Sequence, residues 1–169
     1  MKILGIDPGI GRMGYGVIEK KSGKEIFLAA GLIETPAGMP HADRLCMLAK
    51  ELKKILTRHE PDVAAIESLF FAKNVKTAFD VAQARGVAIF LCRKAGLIIE
   101  EYTPLQVKIA LTGYGRAEKI QVAAMTKKLL VIPDRSNGSG RSIGPQELIQ
   151  DDTLDAIALC LTCAAFLRH

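Results

Sequence analysis

The chain has 169 residues, 49% of them hydrophobic, with 23 Lys and Arg against 18 Asp and Glu and a formal net charge of +5. This length and apolar content fit one globular domain over residues 1–169 and leave no material for a second, while the basic balance favours an anionic partner. The longest apolar run, residues 156–167, falls short of the ~20 residues of a bilayer span. The opening MKILGIDPG lacks the apolar stretch and cleavage site of a signal peptide, so a soluble, cytoplasmic protein with no membrane role is expected.

Residues 2–6 are short and almost continuously apolar, the pattern of a buried strand. GIDPGIGRMGYG follows over residues 5–16, and its Gly9, Gly11 and Gly14 spell G-x-G-x-x-G with Glu34 about 20 residues on. A dinucleotide fingerprint needs those glycines to open a helix whose N-terminus holds pyrophosphate. Here residues 14–20 and 25–34 read instead as two strands joined by the turn Lys21-Ser22-Gly23-Lys24, which rejects the fingerprint.

Residues 42–59 set Leu45, Leu48, Ala49, Leu52, Ile55 and Leu56 on one helical face, and Glu60-Pro61 ends it. A short buried strand at 62–67 closes in Glu67. A second long helix is expected over 73–94 with Val75, Phe79, Ala82, Gly86 and Ile89 as its stripe, and its small residues Ala82, Ala84, Gly86 and Ala88 admit another helix closely. A strand at 97–102 precedes a helix opened by Pro104 and running to 111. A further helix at 117–130 offers Ile120, Ala123, Ala124 and Leu130 for packing. PDRSNGSGRSIGP, residues 133–145, reads as an exposed mobile loop, and a last helix covers 152–167.

Tight hairpins make the first three strands antiparallel, and helical crossovers make the last two parallel to the first. The expected fold is α/β, a mixed five-stranded sheet with helices on both faces. Cys46, Cys92, Cys160 and Cys163 sit in apolar helical patterns, as reduced, partly buried thiols do. Cys160-Leu161-Thr162-Cys163 has no second pair at zinc spacing, and His41, His59 and His169 form no ligand pattern.

The acids at the ends of elements carry the chemistry. Asp7 ends the first strand and Glu67 the fourth, at the carboxyl edge where α/β sheets place ligands. The last helix opens with Asp151-Asp152-Thr153-Leu154-Asp155, and Asp152 and Asp155 share a face, although periodicity alone leaves Asp151 paired with Asp155 equally open. Asp7-Pro8-Gly9 as a plain turn, Glu67 as a solvated strand end and the aspartates as helix caps are the ordinary alternatives. None explains why all would aim at one place. Crowded carboxylates call for a cation, Mg²⁺ is the oxygen-loving choice, and two such ions can clamp the oxygens of a phosphodiester.

The blocks GIDPGIGRMGYGVIE, AIESLFFAKNVKTAFDVAQARGV, YTPLQVKIALTGYGRAEKIQV and DDTLDAIALC, in that order, closely resemble the RuvC family of bacterial Holliday junction resolvases, within the RNase H-like nucleases. The likeness spans nearly the whole chain. It implies catalytic, metal-holding carboxylates at Asp7, Glu67, Asp152 and Asp155, with the family's D-x-x-D-A pattern selecting Asp152 over Asp151. It implies Mg²⁺, with Mn²⁺ as a substitute, at two ions per site, and hydrolysis of DNA to 5′-phosphate and 3′-hydroxyl ends.

A homodimer on a four-way DNA junction follows from the same likeness, with residues 73–94 as the dimer element, as do branch-migration partners of the RuvA and RuvB type. Phe70 matches the aromatic that stacks near the junction centre, leaving Phe71 for packing. Lys108 and Lys119 match basic positions near the site, with Lys119 in a catalytic role. Lys73, Asn74, Lys76 and Arg116 are further expected DNA contacts. Loop 133–145 is longer than the family's usual connection, and its Arg135 and Arg141 either brush DNA or decorate the surface. The rival readings are an RNA-processing relative of the YqgF type, an actin-like ATPase, for which the chain is too short, and a non-catalytic junction-binding module.

Overall fold

The computed structural model describes residues 1–68, 75–130 and 151–167, and the backbone alone at 75–77. The elements in chain order are β1 (Lys2–Asp7), β2 (Arg12–Lys21), β3 (Lys24–Glu34), α1 (His41–His59), β4 (Val63–Glu67), α2 (Val75–Lys94), β5 (Ile98–Tyr102), α3 (Pro104–Thr112), α4 (Lys119–Leu129) and α5 (Asp151–Phe166). The sheet order is β3-β2-β1-β4-β5. β1, β2 and β3 pair antiparallel, and β4 and β5 run parallel to β1. The β2–β3 hairpin closes on Ser22 and Gly23, both at positive φ, the geometry that two-residue hairpin turns demand. No helix opens at the glycine-rich stretch; β2 begins there, as the sequence reading requires.

Strand alternation sorts the core into two layers. Ile3, Ile18, Val63 and Ala65 face α3, α4 and α5, packing with Val107, Leu111, Val122 and Ile157. Leu4, Ile6, Val17, Ala64 and Ile66 face the other way, against Leu48, Leu52 and Leu56 of α1 and Ala84, Ala88 and Cys92 of α2. Helices therefore cover both faces. α5 is buried along nearly its whole length, from Thr153 to Ala164, interrupted only by half-buried Asp155.

Three of the opening glycines explain how α5 gets so close. A methyl group at Gly5 would overlap the Ala156 carbonyl, and one at Gly14 the Asp152 carbonyl. One at Gly16 would stand 2.8 Å from Ile157 Cγ1. The helix backbone thus rests on strand backbone, with Asp152 over the Asp7–Gly14 pair and Ala156 over Gly5. The periods agree, since four helix residues rise ~6 Å and two strand residues ~6.6 Å. Their role is close approach rather than positive φ, which none of the three adopts.

Several sequence expectations need correction. The buried line of α2 is Ala84, Ala88 and Cys92, whereas Phe79 is 65% exposed and Gly86 borders open space. Both sides of this helix carry apolar residues, so periodicity cannot say which faces the sheet. On α4 the inward residues are Val122 and Thr126, followed by Leu130, while Ile120 and Ala124 are exposed. Cys46 is exposed on α1, and Cys92, Cys160 and Cys163 are buried and free. Among the described residues no helix is long and apolar enough to cross a membrane. Loop 133–145 lies outside the described residues.

Candidate active site

β1 and β4 are adjacent and in parallel register, with Ile6 beside Ile66. One residue further along each strand come Asp7 and Glu67, which by alternation share the α5 face with Gly5 and Ala65. The first turn of α5 lands on the same edge, because Gly14 opposite Asp7 leaves space for the Asp152 carbonyl. Three elements distant in sequence therefore bring Asp7, Glu67, Asp152 and Asp155 together.

Their electrostatics follow from burial and like charge. The Asp7 carboxyl is pushed up to about 8, first by burial, then by the charges of Glu67 and Asp155, a hydrogen bond with Glu67 and the charge of Asp152. Glu67 also lies above the usual carboxylate range, driven by burial and by Asp155, with the Asp7 hydrogen bond and Lys119 opposing. Near neutrality the pair retains a proton, with Asp7 donating to the Glu67 carboxylate. Asp151 is not among the charges that act on Asp7, and its side chain is 80% exposed against 26% for Asp152.

Two cations border the acids. Lys119 Nζ lies 3.0 Å from Asp155 Oδ2 and 3.7 Å from Asp151 Oδ2, and its ammonium is held above its ordinary range chiefly by the Asp155 hydrogen bond. Lys119 starts α4, directly after the N-cap Glu118, whose backbone N–H donates to Gln121 Oε1 at 2.8 Å. Arg12 Nε lies 3.3 Å from Asp152 Oδ2. A cleft of about 210 Å³ opens between these elements, lined by Glu67, Lys108, Lys119 and Asp155 over a floor that includes Val107 and Val122. Arg116 is exposed in the turn before α4. Phe70, Phe71, Lys73 and Asn74 lie outside the described residues, as does the side chain of Lys76.

Sequence reasoning missed two arginines. Arg85 of α2 donates through Nε to the Glu67 carbonyl at 3.1 Å, and its guanidinium pairs with Glu101 of β5, pinning the end of β4 to both neighbours. No spacing in the chain signals that contact. Arg12 had a signal, since it stands two residues before Gly14 and so shares its strand face.

The donor set is all carboxylate oxygen, which suits a hard divalent cation, and a half-buried carboxyl kept protonated by desolvation and by like charges is what such a cation relieves. Among the described residues no group of three His, Cys, Asp or Glu is disposed, as it stands, to hold a metal ion. Asp7 is engaged with Glu67, Asp152 with Arg12 and Asp155 with Lys119. The residues fit the ion chemically once those pairings are exchanged.

A mixed sheet whose neighbouring parallel strands end in acids, met by acids from the first turn of a helix laid across it, defines an RNase H-like α/β protein. A family model described as "Crossover junction endodeoxyribonuclease RuvC" matches residues 3–163. The chain is 47% identical over 162 residues to the crossover junction endodeoxyribonuclease RuvC of Caldicellulosiruptor saccharolyticus, covering 95% of this chain and 90% of the relative. Against that of Chloroflexus aurantiacus it is 43% identical over 166 residues, covering 98% and 93%. The structure of Thermus thermophilus RuvC in complex with Holliday junction substrate matches with a TM-score of 0.83 at 30% identity, over 98% of this chain and 94% of that one. The chain belongs to the RuvC family of crossover junction endodeoxyribonucleases.

Proposed function

We propose that this protein resolves four-way DNA junctions as a Mg²⁺-dependent endonuclease, leaving 5′-phosphate and 3′-hydroxyl ends, with Mn²⁺ able to substitute. The observation that carries the reading is the convergence on half-buried Asp7 of three further carboxylates, Glu67, Asp152 and Asp155, beside a cleft that also holds Lys108 and Lys119. These four would hold the metal, two ions per site, which when bound supplies an activated water and stabilises the leaving oxygen. Arg85 keeps the end of β4, and with it Glu67, in place.

Lys119 faces Asp155 across the cleft and donates toward phosphate oxygen as negative charge builds there. Lys108 lines the same cleft and holds backbone phosphate. Phe70, Lys73, Asn74, Lys76 and Arg116 remain the proposed further DNA contacts, on family likeness, and RuvA- and RuvB-type partners rest on the same ground. A homodimer is supported by the outward face of α2, where Phe79 and Phe90 are more than 60% exposed and Gly86 leaves room between them. A second copy of that face would bury both rings and set two sites on one junction.

Cleavage of mobile and fixed four-way junctions, linear duplex and structured RNA in Mg²⁺ tests the proposal. Paired nicks on junctions alone are expected, and equal or better cutting of RNA would overturn it.

A further inference from the structure

Arg12 is absorbed by none of the roles above, yet it touches the site. It starts β2 on the face that carries Gly14 and Gly16 toward α5, and its Cα stands opposite Glu34 in the β2–β3 register. The guanidinium nevertheless pairs with Asp152, at 3.3 Å, in preference to that nearer strand partner. Asp152 is the less exposed of the two groups, at 26% against 58% for Arg12, and its charge already bears on Asp7. A carboxylate oxygen that accepts from a guanidinium has lost part of its capacity for another cation.

We propose that Arg12 is a resident counter-cation for Asp152, a positioning residue that must be displaced when a divalent ion takes that carboxylate, and that it thereby weakens divalent binding to the DNA-free protein. The inference rests on the metal-site reading above. Lys119 plays the corresponding part at Asp155, but it lines the cleft, whereas Arg12 is not among the cleft's lining and reaches Asp152 from the start of β2. The cost of displacement is that of a partly exposed ion pair, so its removal should tighten binding roughly 2- to 5-fold. The effect should shrink as salt screens the pair.

The test is a Mn²⁺ titration of the full-length, DNA-free protein, with free Mn²⁺ followed by electron paramagnetic resonance. Wild type, Arg12→Gln, Arg12→Lys, Asp7→Asn and Lys54→Gln would be compared at two ionic strengths. Arg12→Gln should bind more tightly by that factor and Arg12→Lys should return toward wild type. Lys54→Gln should match wild type, because Lys54 pairs with Glu51 on the outer face of α1 and its loss changes only net charge. Equal affinity of Arg12→Gln and wild type, or equal tightening by Lys54→Gln, overturns the proposal while the metal site stands. If Asp7→Asn binds Mn²⁺ as wild type does, the metal-site reading itself falls and this inference with it.

Discussion

The two faces of the sheet are built by opposite means. Against α1 and α2 the strands present Leu4, Ile6, Val17 and Ile66, and large side chains fill the gap between layers. Toward α5, beside Ile3, Ile18 and Val63, they present Gly5, Gly14 and Gly16, and at those three positions the gap is removed. A face filled with aliphatic side chains contributes burial, roughly 1.5 to 3 kcal/mol for each fully buried large residue. A glycine patch contributes position, since a helix in backbone contact with β1 and β2 sets the carboxylates near its start beside Asp7.

That contrast can be broken most severely at Gly5. Gly5→Val puts three carbons into the Ala156 carbonyl, so its cost should exceed the ~1 to 3 kcal/mol usual for overpacking and leave little folded protein by circular dichroism and denaturant titration. Asp7→Asn tests the same face without disturbing its packing. Cutting should fall by roughly 10³-fold or more while junction binding in a gel-shift assay persists, and cutting at the wild-type rate would refute the catalytic assignment. On the opposite face, Leu48→Ala should cost ~2 to 5 kcal/mol in denaturant unfolding yet leave Mn²⁺ affinity of the folded protein unchanged.

A smaller effect separates the faces through pH. In the metal-free protein the native state keeps a proton that the unfolded chain releases above 3.8, because Asp7 is held up to about 8. Stability should therefore be highest at the acidic end of this window, fall as pH rises toward about 8 and level off beyond it. The slope should not exceed ~1.4 kcal/mol per pH unit, the limit for one proton. Asp7→Asn should flatten that profile, and Mg²⁺ should protect wild type most at the alkaline end. The smallest change is expected at Ile120, which is 74% exposed: Ile120→Ser should shift stability by no more than ~0.5 kcal/mol, where a packing role would cost several times that.

The acids at the ends of β1 and β4 were legible in the sequence because a short apolar run that stops at an acid is a local pattern, and so was the β2–β3 turn. The inward faces of α2 and α4 were not. α2 has apolar residues on both sides, Ala84, Ala88 and Cys92 inward and Phe79 and Phe90 outward, and α4 exposes Ile120 while burying the polar Thr126. Hydrophobicity alone misranks such pairs, since Thr126 turns its hydroxyl back to the Val122 carbonyl at 2.9 Å and so can be buried. Asp151 and Asp152 were likewise inseparable by spacing; family likeness selected Asp152, and the fold brings its charge to bear on Asp7 while leaving Asp151 80% exposed.

The amino-acid sequence by itself determined the order and kind of the elements, the strand ends at Asp7 and Glu67, the helix start rich in aspartate and the likeness to a nuclease family, because each is a matter of neighbouring residues and their periods. Tertiary structure decided what the glycines near the N-terminus are for and that Arg12 and Arg85 belong to the site, and it turned the choice of Asp152 over Asp151, made by family likeness, into a matter of geometry. The glycine contacts and the Arg12–Asp152 pair join groups more than a hundred residues apart, and Arg85 bridges separate elements to Glu67 and Glu101, so these contacts exist only once the elements are packed together.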